Sequence, residues 1–315
     1  MTTPSARSFG ARPVPAPLPL DVAVELAYAL IQRHCDELGL RVLFLKGPAA
    51  HHQGLRRRSI STDVDAFLTE EDAQRLEASL LDAGWSIRPS GMEGVALRHA
   101  VTLIHEYWPV DIDIHHHIPG VAPLPGEVFN SLWARHDHVE LAHWRVDVPD
   151  RVDHALILLL NILRSGPHGG SDPRLGVLAD ALDDDAMRTL DRRIAEFDCG
   201  PQVAPFVRRH GRGLLTLDTR VPDRTWLLYQ HLDQPALLWL DGVVRAPWRR
   251  KPALLLNAVH PSRHVLSERN LTLIEAPRRE VFAARTRRLV RTVVHLPTLL
   301  RTYQVIRRSS RARGE

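Results

Sequence analysis

Cysteine is nearly absent from this chain, and so is lysine. With only Cys35 and Cys199 in 315 residues, a disulfide framework is not indicated and a cysteine-based zinc site is excluded. No apolar run reaches the ~18 residues that a membrane-spanning helix requires. The longest, ALILLLNIL at 155–163, is half that length. The opening MTTPSARSFGARPVPAPLPL holds basic residues but no continuous apolar segment, so it does not read as a secretory signal. Its Pro, Ala and Ser content predicts a disordered tail over residues 1–19. These absences leave a cytoplasmic enzyme with no membrane span as the default expectation.

Of the 41 basic residues, all but Lys46 and Lys251 are arginine. A chain that otherwise uses Arg, yet has Lys at 46, has reason to want a compact ammonium there in place of a planar fork. Charge is also unevenly placed. Residues 245–315 carry 17 Lys or Arg against 4 Asp or Glu, while the whole chain is only +4, so the remainder is net negative. Arginines at 278, 279, 285, 287, 288 and 291 alternate with Val281, Phe282, Leu289 and Val290. Such a helix could present one face to RNA or an acidic partner, or simply be a solvated surface helix.

The first expected element is a helix over 21–38, with Asp21 as its N-cap, Val22, Leu26, Ala29, Leu30 and His34 at helical spacing, and Gly39 as its stop. RVLFL at 41–45 is short, apolar and β-prone, as a buried strand is. Lys46-Gly47-Pro48 breaks it and opens a short helix over 49–54. VDAFL at 64–68 is a second strand. Thr69 with Glu70, Glu71 and Asp72 starts a helix that runs through Leu76, Leu80 and Leu81 to Gly84. Strand-like stretches follow at 94–104 and 107–115. Beyond Asp150, which caps an apolar helix at 151–164, the patterns are helical to the end. The length favours two domains: an α+β catalytic domain with a mixed sheet and flanking helices over 20–150, then a helical domain over 151–315 with its basic end.

Residues two apart on a strand point to the same face. Asp63 and Asp65 therefore emerge together, as do Asp111, Asp113 and His115 in the second acidic strand. Two acidic pairs side by side are costly unless something positive lies between them. Hard divalent cations with oxygen ligands are the usual answer, Mg²⁺ binding through one or two carboxylates and substrate phosphates. The three consecutive histidines at 115–117 offer a transition-metal alternative through Asp113, His115 and His117. No spaced zinc-protease motif accompanies them, and His115 reads better as an orienting partner of a carboxylate.

The segment LFLKGPAAHHQGLRRRSISTDVDAFL resembles the uncharacterised nucleotidyltransferase family of the DNA-polymerase-β-like superfamily. The shared pattern is an apolar run ending in Leu-Lys-Gly, a helix, an Arg, a small polar residue, and Asp-x-Asp in an apolar strand. Further on, Asp113-Ile114-His115 matches the family's acidic–apolar–His element. The stretch around NAVHPSRHVL and the basic C-terminus are also similar, so the resemblance covers nearly the whole chain after residue 20.

The resemblance implies a polymerase-β-like fold and transfer of a nucleoside monophosphate from a nucleoside triphosphate, ATP first among them, to an acceptor, with release of pyrophosphate. It implies that Asp63, Asp65 and Asp113 hold two Mg²⁺ ions, with Asp111 as the fallback third carboxylate. It places the triphosphate against Lys46, Gly47, Arg58 and Ser61, with Arg56 and Arg57 as neighbouring candidates. Two departures stand out. Pro48 replaces the serine that commonly follows the glycine, and Ser59 occupies the position, four before the first Asp, where the family has its Arg. The acceptor, whether small molecule, RNA or protein, is not legible. A second possibility is a non-catalytic regulatory or toxin–antitoxin-type protein on the same fold. Retention of all three carboxylates favours catalysis, because a binding protein has no use for their repulsion.

Overall fold

A computed structural model describes residues 18–89, 100–166, 169–231, 234–259, 266 and 276–312. Helix α1 (Leu20–Leu38) precedes β1 (Leu43–Leu45), a one-and-a-half-turn α2 (Gly47–His52), β2 (Asp63–Phe67), α3 (Glu70–Asp82), β3 (Ser86–Ile87), β4 (Ala100–His105) and β5 (Trp108–His115). The five strands form one sheet in the order β1-β2-β5-β4-β3, antiparallel except for the central β2–β5 pair, which is parallel. The fold is α+β, a mixed sheet with flanking helices followed by a helical C-terminal region.

Local chemistry explains most boundaries. Thr69 accepts from the Asp72 backbone N–H, which caps α3, and Gly39 ends α1 in the left-handed conformation. Asp150 accepts from Val152 and Asp153 N–H and caps α5 (Arg151–Arg164) as expected. Asp21 does not cap α1. It lies in the first turn, where its charge suits the helix dipole, and Pro19 takes the cap position. The buried face of α1 is Val24, Ala27, Tyr28, Ile31 and Cys35, whereas Val22 and Leu26 are exposed. Both stripes have helical spacing, and the sheet selects the one bearing the larger ring.

Between the sheet and α5 the sequence reading saw no elements. The structure has a helix, α4 (Pro125–Trp133), and a hairpin of β6 (Asp137–Leu141) and β7 (Trp144–Val148). The hairpin turn is made by Ala142 and His143, both at positive φ. Neither is the Gly or Asn that announces such a turn, which is why the pattern was silent. Much of the stretch expected to be β-like over 94–104 lies outside the described residues, as does most of NAVHPSRHVL.

The sheet divides two apolar clusters. Val42, Phe44, Val64, Ala66, Ile112 and Ile114 face α1, α3 and the hairpin. Leu43, Leu45 and Phe67, on the opposite face, pack with α4, α5, α6 (Arg174–Ala181), α7 (Asp184–Glu196) and α8 (Gly200–His210). This second core runs across residue 150 without a break. Farther on come α9 (Arg224–Tyr229), α10 (Pro235–Arg245), α11 (Lys251–Val259) and α12 (Arg278–Ala312), which carries the basic segment. No helix among the described residues is long and apolar enough to cross a membrane.

Candidate active site

Because β2 and β5 pair in parallel register, Asp63 lies opposite Asp111 and Asp65 opposite Asp113. The odd-numbered positions of both strands share the face that carries Leu43, Leu45 and Phe67. Where α5 ends, that face opens into a cleft of about 430 Å³. Asp63, Asp65, Asp113 and His115 line its floor, with Lys46, Gly47, Ser61 and Arg56 on one side, Thr102 on another and Asn161 and Arg164 from α5 above. Ligand atoms of Asp65, Asp113 and His115 all lie within 4.8 Å of one another, close enough to share a cation.

The three carboxylates differ in their surroundings. Asp65 is buried, and its Oδ1 accepts both Lys46 Nζ at 2.5 Å and His115 Nε2–H at 2.7 Å. Burial works to raise its pKa, but the Lys46 charge and the His115 contact outweigh it and hold the group well below the usual carboxylate range. Asp63 is pushed the other way, by burial first and then by Asp65 and Asp113. Asp113 accepts from Thr102 Oγ1 at 2.6 Å. Asp111 is turned out of this group to Arg88, 2.6 Å away, and does not line the cleft. His115, read from sequence as a carboxylate's orienting partner, bonds Asp65, while His117 lines a small adjoining recess beside Ile118 and Pro119 that shares Lys46, His115, Asn161 and Arg164 with the cleft.

The turn from β1 into α2 is unusual. Lys46 has φ 58° and ψ −147°, and Gly47 follows at φ 45°. The first is a region that essentially only glycine occupies, at a strain on the order of 1–3 kcal/mol for another residue. At Gly47 a Cβ would come within 2.6 Å of the Tyr28 hydroxyl and 3.3 Å of Ser61 Oγ. Glycine is required at 47 on both counts, whereas the Lys at 46 persists in a glycine conformation and keeps its ammonium on Asp65.

The arginine run separates. Arg56 reaches the carboxylate cleft and also bonds Ser59. Arg57 and Arg58 do not line that cleft. Arg58 borders a neighbouring one with His51, His52 and Ser61, and all three border a third, of about 240 Å³, floored by Leu158, Ile162 and Leu178. Sequence reasoning missed Asn161 and Arg164. Arg164 is largely buried, its guanidinium donates to Asn161 Oδ1 at 3.1 Å and lies over the Tyr229 ring at 5.6 Å. The signal was there: after His154, these are the first polar residues in the apolar run of α5, three apart and therefore on one side of the helix.

No family model matches the chain, and no curated protein matches it. Among solved structures it is similar to the lincomycin-bound lincosamide antibiotic adenylyltransferase LnuA, at 15% sequence identity and a TM-score of 0.33, over 50% of this chain and 94% of that one.

Proposed function

We propose that this protein is a Mg²⁺-dependent nucleotidyltransferase that moves a nucleoside monophosphate from a nucleoside triphosphate, ATP first among the candidates, to an acceptor hydroxyl or amine. The observation that carries the reading is the convergence of Asp63, Asp65 and Asp113 from two parallel-paired strands on one cleft that Lys46 and Arg56 also line. Carboxylate oxygens suit a hard divalent cation, and the ligand atoms of Asp65, Asp113 and His115 lie close enough together to fit one. Asp63, Asp65 and Asp113 would hold the metal. When bound, it would neutralise charge on the α-phosphate and on the departing pyrophosphate.

The chain's own groups do the rest. The Lys46–Gly47 turn and Ser61 form the side on which the triphosphate tail is seated, with Lys46 and Arg56 as charge partners for its oxygens. Asn161 and Arg164 close the cleft from α5. The acceptor oxygen or nitrogen attacks the α-phosphorus, the bond to the bridging oxygen of pyrophosphate breaks, and the acceptor's proton passes to Asp113 or to solvent. Placement and charge stabilisation supply the rate, with no covalent enzyme intermediate. The domain arrangement proposed with this reading is a catalytic unit over 20–150 followed by a helical unit over 151–315.

Incubation with radiolabelled triphosphates, Mg²⁺ and a cell extract tests the reading, with release of pyrophosphate as readout. Label should enter an extract fraction with the wild type and not with Asp63→Ala/Asp65→Ala. Equal binding of Mg·ATP by both proteins would refute the metal site, and binding without pyrophosphate release would favour a regulatory protein.

A further inference from the structure

The strained Lys46 is held by a relay that begins in α5. Its backbone N–H donates to His154 Nε2 at 2.7 Å, and His154 Nδ1 lies 2.6 Å from Gln53 Oε1. Gln53 Nε2 in turn donates to the Pro149 carbonyl at 2.9 Å. The directions are fixed by chemistry. A backbone N–H can only donate, so Nε2 accepts and Nδ1 carries the proton, and a glutamine whose amide nitrogen is on Pro149 presents its oxygen to the ring. His154 is fully buried, and burial holds its pKa down to about 3, so the ring is neutral and this tautomer persists.

We propose that His154 is a positioning residue for the phosphate-binding turn, holding the Lys46 peptide in its glycine-like conformation so that Lys46 and Gly47 face the cleft. This rests on the nucleotidyltransferase reading above. The geometry requires such a device. Lys46 is in a conformation that its own side chain disfavours, and α2 begins immediately after it, so the turn cannot relax along the chain. His154 is 108 residues away in sequence and is a fully buried polar residue at the head of the apolar run of α5. Neither His154 nor Gln53 lines the carboxylate cleft, so the pair acts on the reaction only through the turn it holds.

Calorimetric titration with Mg·tripolyphosphate and Mg·ATP, beside Mn²⁺ binding followed by electron paramagnetic resonance, tests the proposal. His154→Leu should weaken Mg·tripolyphosphate binding by about tenfold to a hundredfold, because the Lys46 N–H is left buried and unpaired. Mn²⁺ affinity at the carboxylates should stay within about threefold, a separation that general loss of structure would not give. His154→Gln, whose amide oxygen can accept the same N–H, should restore most of the binding. Gln53→Leu keeps the ring and removes only its orientation. It should give a smaller loss, and should add nothing to His154→Leu in the double variant, as expected of one relay. If His154→Leu does not fold, Gln53→Leu and His154→Gln carry the test alone. Wild-type-like tripolyphosphate binding by Gln53→Leu, or no rescue by His154→Gln, would overturn the proposal. A wild type that binds Mn²⁺ but neither polyphosphate would overturn the nucleotidyltransferase reading itself, and this inference with it.

Discussion

Two acidic clusters among the described residues are built on opposite plans. In one, Asp150, Asp153 and Glu196 meet Arg135 and Arg193. Arg135 embraces Asp153 with contacts of 2.8 and 3.2 Å, Arg193 lies 3.2 Å from the same carboxylate, and both arginines reach Glu196 at 3.1 Å. Asp150 caps α5. There every carboxylate has a cation or a ring of N–H donors. In the cleft, Lys46 is committed to Asp65, while Asp63 is held above its ordinary pKa by burial first and then by Asp65 and Asp113. One cluster closes its charge internally and cements α4, α5 and α7. The other keeps repulsion in the folded state, which the cation proposed above would relieve.

Breaking the two clusters should therefore give opposite signatures. The largest effect is expected for Asp63→Asn, which should lower nucleotidyl transfer by about a thousandfold or more, several kcal/mol of lost charge stabilisation. Urea denaturation of the metal-free protein should meanwhile show unchanged or greater stability, since the substitution removes a charged form that burial and repulsion disfavour. A clear loss of stability would sink the distinction. Burial raises the Asp153 pKa to about 6, but two arginines share this carboxylate, so Asp153→Asn should do the reverse and lower stability in the same assay by stranding Arg135 and Arg193.

A pH series sharpens the contrast through His154. Its folded pKa of about 3 lies below the unfolded value of 6.5, so the unfolded chain binds the extra proton in between. Stability should fall as pH drops from 6.5 towards 3, with a contribution of up to ~1.4 kcal/mol per pH unit. The carboxylates titrate in the same window, so the measure is the difference from His154→Gln, which should be flatter. The smallest effect is expected at Asp111, whose Arg88 partner is half exposed. Asp111→Asn should change stability by less than about 1 kcal/mol and leave transfer within a few fold, whereas Asp113→Asn should abolish it. Equal losses at both positions would make Asp111 a cleft residue after all.

Much of the site was legible because strand periodicity is a local property. Asp63 and Asp65 two apart, and Asp111, Asp113 and His115 likewise, dictate shared faces before any pairing is known. That Asp113 enters the cleft and Asp111 leaves it was not legible from spacing, since it depends on where Thr102 and Arg88 fall on the adjoining strand and loop. The sequence reading set Arg58 against the triphosphate with Arg56 and Arg57 as neighbouring candidates, but a loop turns the three to different clefts, and of them Arg56 lines the carboxylate cleft. Asn161, Arg164 and His154 escaped notice because polar residues in an apolar helix declare burial without naming what they bury against. In the same way, the buried stripe of α1 could not be told from its neighbour until the sheet was in place.

The core that crosses residue 150 has a consequence for how such a protein can change over evolutionary time. Leu43, Leu45 and Phe67 beneath the carboxylates are covered by the same helices that bring Asn161 and Arg164 to the cleft. A chain cut where the composition shifts would leave that apolar face bare, so the helical half cannot be exchanged like a cassette to recruit a new acceptor. New specificity would have to arise in the borders that bear little of this packing, such as the arginine loop over 56–61 and the surface beyond α8, while the wall and the floor are inherited as one piece.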